Sequence, residues 1–133
     1  MDNNRKKVLV VDDEPAVREL VRRMLCVDYT VLEARNGEEA LGMASSQKPD
    51  LILMDVMMPE MDGLSACHEI KKNHATARIP VVMLTAVGYE LNRKFAEDVI
   101  GADGYVTKPF ARQDLQQAIE RAFGRPGGEA RPS

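Results

Sequence analysis

The chain has 133 residues, 44% of them hydrophobic and 29% charged, with a formal net charge of -3. That composition suits one globular domain with its own core and leaves little length for a second. It offers no basic excess for a nucleic-acid surface, and no run reaches the roughly 18 apolar residues of a membrane span.

Apolar runs alternate with helical patterns along the chain. Residues 7–11 (KVLVV) are short, apolar and β-branched, and predict a buried strand. Pro15 then stands at a first helical position, and Ala16, Leu20, Val21, Met24 and Leu25 recur at helical spacing. Residues 29–34 (YTVLEA) predict a second strand, and Asn36-Gly37 opens a helix to about Ser45. Pro49 and Asp50 break the chain before a third strand at 51–54 (LILM), and Asp62-Gly63 precedes a helix through Ala66, Ile70 and Lys71. A fourth strand is predicted over 79–84 (IPVVML), a helix over 90–100, a short fifth strand at 105–106 and an amphipathic last helix over 111–123. Five strand–helix units of this kind imply an α/β fold, a parallel five-stranded sheet covered on both faces. The flavodoxin-like doubly wound (βα)5 arrangement, strand order 2-1-3-4-5, is one common form of it. Residues 124–133 (GRPGGEARPS) read as a flexible tail or the start of a linker, leaving a domain over 6–123.

The segment before residue 8 is polar and basic, and Val8–Val11 is too short for the apolar core of a secretory signal, so a cytoplasmic location is expected. Cys26 and Cys67 lack a CxxC spacing and are expected as buried, reduced thiols inside helices.

Ligands in open α/β sheets sit at the carboxyl ends of the strands. Asp12, Asp13 and Glu14 follow the first strand, Asp55 the third, Thr85 the fourth and Lys108 the fifth. In the order 2-1-3-4-5 the first and third strands are neighbours, so their carboxylates converge on one cleft. Close carboxylates repel, and a cation relieves that repulsion; all-oxygen ligands suit Mg2+. An ammonium and a hydroxyl beside one further carboxylate are the parts that phosphoryl transfer uses, with Asp as nucleophile. Taken singly, Asp12 or Asp13 reads as an N-cap of the helix at Pro15, and Asp50, Asp62 and Asp103 read as turn residues.

The segments VLVVDDEP (8–15), LILMDVMMPEMDG (51–63), VVMLTA (81–86) and GADGYVTKPF (101–110) jointly resemble the receiver domain of two-component response regulators, chemotaxis-type, stand-alone or excised. The resemblance covers about residues 6–123. It implies that Asp55 is the phosphoacceptor, that Asp12 and Asp13 hold Mg2+ with Asp55 and the backbone carbonyl of Met57, and that Lys108 contacts the phosphoryl oxygens. It also implies a cis Lys108–Pro109 bond, a Thr85 that moves toward the phosphoryl group and a switch role for Tyr105. From the residues alone, Tyr105 reads equally as a half-buried sheet residue with its hydroxyl in water. Gly63 reads as a turn and Gly101 as a helix C-cap. Met54, Met57, Met58 and Met61 read as packing, and His68 and His74 as surface residues. Met57 and Val87 are expected to exclude the attacking water and prolong the phosphorylated state.

The same resemblance implies a sensor histidine kinase or phosphotransfer protein as donor. The output partner or domain would be engaged through the surface of the fourth helix, fifth strand and fifth helix, where Arg93, Lys94, Asp103, Tyr105 and Arg112 are candidate contacts. A monomer or a phosphorylation-linked dimer is expected, acting as a signalling domain that catalyses only its own phosphorylation and dephosphorylation. A haloacid-dehalogenase-type phosphatase shares the Asp, Mg2+ and Lys. Its nucleophile belongs to a DxD motif, however, and Pro15 stands two positions after Asp13. No helix-turn-helix follows Phe123, so direct DNA binding by this chain is not expected.

Overall fold

The computed structural model describes residues 5–56, 63–86 and 101–124. Five strands, β1 (Lys7–Val11), β2 (Thr30–Ala34), β3 (Leu51–Asp55), β4 (Val81–Ala86) and β5 (Gly104–Lys108), form one parallel sheet in the order β2-β1-β3-β4-β5. Four helices lie among the described residues: α1 (Pro15–Leu25), α2 (Gly37–Ser46), α3 (Gly63–Lys72) and the C-terminal helix (Arg112–Phe123). The helix predicted over 90–100 lies outside the described residues. This is the flavodoxin-like arrangement, and its switch point falls between β1 and β3.

Alternation along the strands divides the core in two. Leu9, Val11, Ile52, Met54, Val81 and Met83 pack against Ala40, Ala44, Ala66, Cys67 and Ile70 of α2 and α3. Val8, Val10, Leu51, Leu53, Val82, Leu84 and Val106 pack against Val21 and Leu25 of α1 and Leu115 and Ile119 of the C-terminal helix. A sheet covered on both faces needs both helical layers, which explains why β1, β3 and β4 read as nearly unbroken apolar runs.

The amino ends of β1 and β4 are closed by two aspartates that turn propensity alone predicts as turn residues. Asp50, just before β3, accepts the backbone N–H of Lys7 at 2.7 Å, and Asp103, just before β5, accepts that of Val81 at 2.8 Å. Each carboxylate therefore satisfies the first N–H of the neighbouring strand. Lys71 of α3 adds an ion pair to Asp103 at 2.8 Å and donates to the carbonyl of Ile79 at 2.7 Å. Asp103 is thus tied into the fold, half-buried at the end of the sheet away from the acidic cluster.

Other boundaries shifted for local reasons. The ladder of β4 starts at Val81, not 79, because the N–H of Ile79 bonds the carbonyl of Thr76 and Pro80 has none. Strand β3 runs on to Asp55 and β5 to Lys108, so both side chains stand on strand ends rather than in following loops. On α1, Ala16 and Leu20 face solvent, Leu20 at 45% exposure. Cys26 is exposed at the C-cap of α1, whereas Cys67 is buried in α3, and burial pushes its thiol up to about 12. His68 and His74 are exposed.

Candidate functional site at the carboxyl end of the sheet

The register that sets Val11 beside Met54 brings Asp12 and Asp55 to adjacent strand ends. Asp12 is fully buried, Asp55 is 5% exposed and Asp13 is exposed. One carboxylate oxygen from each of the three lies within 4.8 Å of the others. From β5, Lys108 Nζ donates to Asp55 Oδ1 at 3.1 Å and to Asp12 Oδ2 at 3.2 Å. The peptide bond from Lys108 to Pro109 is cis. Asp12 Oδ1 accepts the N–H of Glu14 at 3.0 Å, and α1 has no side-chain N-cap. The capping alternative for Asp12 and Asp13 is therefore set aside: Asp12 turns the chain into α1 and keeps its second oxygen for Lys108.

Burial raises the Asp55 pKa, the negative charge of Asp12 raises it further, and Lys108 offsets only part of this. Burial works against the charged form of Lys108, yet its bond to Asp55 and the charge of Asp12 outweigh it, so its pKa is raised. The ammonium is therefore a firm positive charge, while the carboxylates remain in excess. Three carboxylates against one paired ammonium leave negative charge that a divalent cation would neutralise. All three offer hard oxygen ligands, and the exposed Asp13 leaves an open side for waters, which is the donor set Mg2+ favours.

Gly63 is a site residue that the sequence showed only as a turn glycine. Its N–H donates to the carbonyl of Val56 at 2.9 Å, and a Cβ there would sit 2.0 Å from the carbonyl oxygen of Asp55. Only glycine lets the start of α3 close onto the backbone of Asp55. Gly101 has φ 93°, the left-handed region expected of a C-cap glycine, and a Cβ there would come 3.2 Å from the stem of Lys71.

Thr85 is half-buried on β4, one residue beyond Leu84, the partner of Asp55 in the β3–β4 register. Tyr105 on β5 is half-buried, opposite Met83, and packs against the core shared with α2 and α3. Thr85 pairs with Thr107, so Thr85 and Tyr105 share one face of the sheet, two positions apart along the strands. Arg112 is an exposed helix residue whose guanidinium lies 3.8 Å from Asp28. Met57, Met58, Met61, Asp62, Val87, Arg93 and Lys94 lie outside the described residues. Beside the acidic cluster, Val17, Leu20, Lys108, Pro109 and Phe110 line an apolar groove of about 400 Å³.

The family model described as the response regulator receiver domain matches residues 8–120. The chain belongs to the response regulator receiver family. A putative response regulator from Chloroflexus aurantiacus superposes with a TM-score of 0.84 at 33% identity, covering 92% of this receiver and 100% of that chain. The chemotaxis protein CheY4 of Vibrio cholerae superposes with a TM-score of 0.82 at 31% identity, covering 89% and 98%. In sequence, the transcriptional regulatory protein ResD of Bacillus subtilis is 42% identical over 92% of this chain and 50% of its own length. The probable transcriptional regulator ycf27 of Porphyra purpurea is 40% identical over 94% and 50%. This receiver thus spans about half the length of the curated relatives it matches. Among the described residues no helix is long and apolar enough to cross a membrane.

Proposed function

We propose that this receiver accepts a phosphoryl group on Asp55 from a phosphohistidine of a sensor kinase or phosphotransfer protein. The observation that carries this reading is Lys108, which reaches from β5 to bond Asp55 and Asp12 at once within a three-carboxylate cluster. An Oδ of Asp55 forms the new O–P bond as the N–P bond of the donor breaks, and the donor leaves with the imidazole electron pair. Lys108 meets the charge on the phosphoryl oxygens, and the hydroxyl of Thr85 donates to one of them. Asp12, Asp13, Asp55 and the backbone carbonyl of Met57 would hold Mg2+, which would supply charge neutralisation for the transferred group. Gly63 lets the start of α3 pack directly against the Asp55 backbone. The exposed Leu20 and the groove that Lys108 lines give the donor protein an apolar seat next to Asp55.

Phosphorylation takes Lys108 from its carboxylate partners to a phosphoryl oxygen and draws Thr85 inward. Tyr105, on the same sheet face, then repacks. The signal leaves through β5 and the helices beside it to an output domain or partner, with Arg112 and the 90–100 segment as contacts. The unit is a domain over 6–123 that acts in the cytoplasm as a monomer or a phosphorylation-linked dimer.

Beryllofluoride, which mimics the phosphoryl group, tests the site without a donor protein. With Mg2+, 19F NMR should show a bound fluoride signal that vanishes in Asp55→Asn. Free signal alone in the wild-type chain would refute the reading.

A further inference from the structure

Arg18 sits on α1 with its side chain 12% exposed, and two elements hold its guanidinium. Nε donates to Glu33 Oε1 of β2 at 2.9 Å, and Nη1 donates to the backbone carbonyl of Asp12 at 2.8 Å. Arg22, one turn on, donates from Nε and Nη2 to the other Glu33 oxygen at 2.8 and 2.6 Å. Glu33 is thereby braced: the Arg22 bond, then the Arg18 bond, holds its carboxyl below the usual range against an opposing effect of burial. Both Glu33 oxygens are engaged, so the Arg18 fork is fixed in direction as well as in charge.

That fork closes the backbone of Asp12. Its N–H donates to the carbonyl of Ala34 at 3.2 Å, the last rung toward β2, and its C=O leaves the sheet toward Arg18. The Asp12 carbonyl and the Asp13 N–H belong to one peptide plane. A guanidinium locked onto that carbonyl sets the plane, and with it the direction in which Asp13 leaves the strand. Asp13 is the exposed carboxylate of the cluster and has the most freedom to lose.

We infer that Arg18 is a positioning residue for the acidic site: braced by Glu33, it fixes the Asp12–Asp13 peptide and so presets Asp13 for a divalent cation. The inference rests on the reading of this cluster as a Mg2+ site. It makes a prediction whose sign separates it from simple electrostatics. Arg18 is a cation bonded to the backbone of one cluster residue, so removing its charge should by Coulomb's law tighten divalent binding. Loss of positioning should weaken it, by about tenfold as for other groups that orient metal ligands.

The test is calorimetric titration of Mg2+ into the unphosphorylated chain, comparing wild type, Arg18→Lys, Arg18→Met and Arg22→Met, with thermal melting to check folding. Arg18→Lys keeps the charge but has a point donor instead of a fork. Both Arg18 variants should bind Mg2+ about tenfold more weakly. Arg22→Met, which removes a Glu33 partner without touching Asp12, should lose less. A folded Arg18→Met that binds as tightly as wild type or tighter would overturn the inference while leaving the metal site intact. So would a loss in Arg22→Met equal to that in Arg18→Lys. Absence of Mg2+ binding by the wild-type chain would overturn the metal reading and this inference with it.

Discussion

Lys108 Nζ lies 3.1 Å from Asp55 Oδ1, a pair 53 residues apart in the chain that the β3–β4–β5 ladder brings to one end of the sheet. The same ammonium bonds Asp12 at 3.2 Å, so one cation holds two buried carboxylates. In the proposed cycle Lys108 stands where the phosphoryl oxygens arrive. It is at once a structural counter-ion and a part of the chemistry, and the two roles separate in a single variant.

Lys108→Met should cost about 2 kcal/mol of stability in urea unfolding. That is less than the roughly 3–5 kcal/mol of a fully buried broken pair, because the Lys108 side chain is 27% exposed. Mg2+ affinity should rise, since a competing cation has gone, while phosphorylation by acetyl phosphate should slow by about 10²-fold. Tighter metal with slower transfer is the signature; weaker metal binding would mean that Lys108 organises the carboxylates instead.

Two glycine substitutions should move stability in opposite directions. Gly63→Ala puts a Cβ 2.0 Å from the Asp55 carbonyl oxygen and should cost about 3 kcal/mol, with phosphorylation largely lost. Gly42→Ala, on an exposed face of α2 with nothing within 4 Å, should stabilise by about 0.5–1 kcal/mol and leave phosphorylation unchanged. Chemical unfolding of both variants checks the pair.

The metal-free site should be a source of instability that depends on pH. Burial, then the charge of Asp12, raises the Asp55 pKa in the folded chain above its unfolded value. The cost of an ionised Asp55 is therefore fully present above the folded pKa and disappears as pH falls below the unfolded one. Asp55→Asn removes that cost, so without metal it should melt a few degrees higher than wild type at neutral pH. The gap should close toward about pH 4, near the unperturbed carboxylate value. With Mg2+ at about 100 times its Kd, the wild-type chain should gain about 2.7 kcal/mol that the variant does not fully share. Melting curves across pH, with and without Mg2+, would show it; a variant that melts lower in chelator at neutral pH would contradict it.

Leu20→Asn tests the groove beside Lys108. The side chain is exposed, so folding should be little affected. Transfer from a phosphohistidine protein should slow by about tenfold, as for loss of one apolar contact of roughly 1.4 kcal/mol. Acetyl phosphate, which needs no protein contact, should react at the wild-type rate. Equal rates with both donors would place the donor elsewhere.

Most of the sheet was legible because β1, β3 and β4 are buried on both faces, and burial on both faces writes itself as a continuous apolar run. Asp12, Asp13 and Asp55 were legible because each ends or follows such a run, and Lys108 because it ends the short strand Gly104–Lys108. Long-range roles were less readable. Asp50 and Asp103 looked like turn residues because turn propensity is local, whereas the N–H groups they accept belong to strands 43 and 22 residues away. Gly63 looked like any turn glycine, since the carbonyl of Asp55 that forbids its Cβ is not visible in its neighbours. Leu20 and Ala16 fitted a helical stripe that pointed inward, but the groove beside Pro109 and Phe110 leaves that side of α1 open. Cys26 was expected inside a helix and instead ends one.

The most direct test of the account is intact mass after incubation with acetyl phosphate and Mg2+, on the wild-type chain and Asp55→Asn, each with and without chelator. The account predicts a gain of one phosphoryl group that requires both Asp55 and the metal. A gain that persists in Asp55→Asn, or an unchanged wild-type mass in the presence of Mg2+, would contradict it.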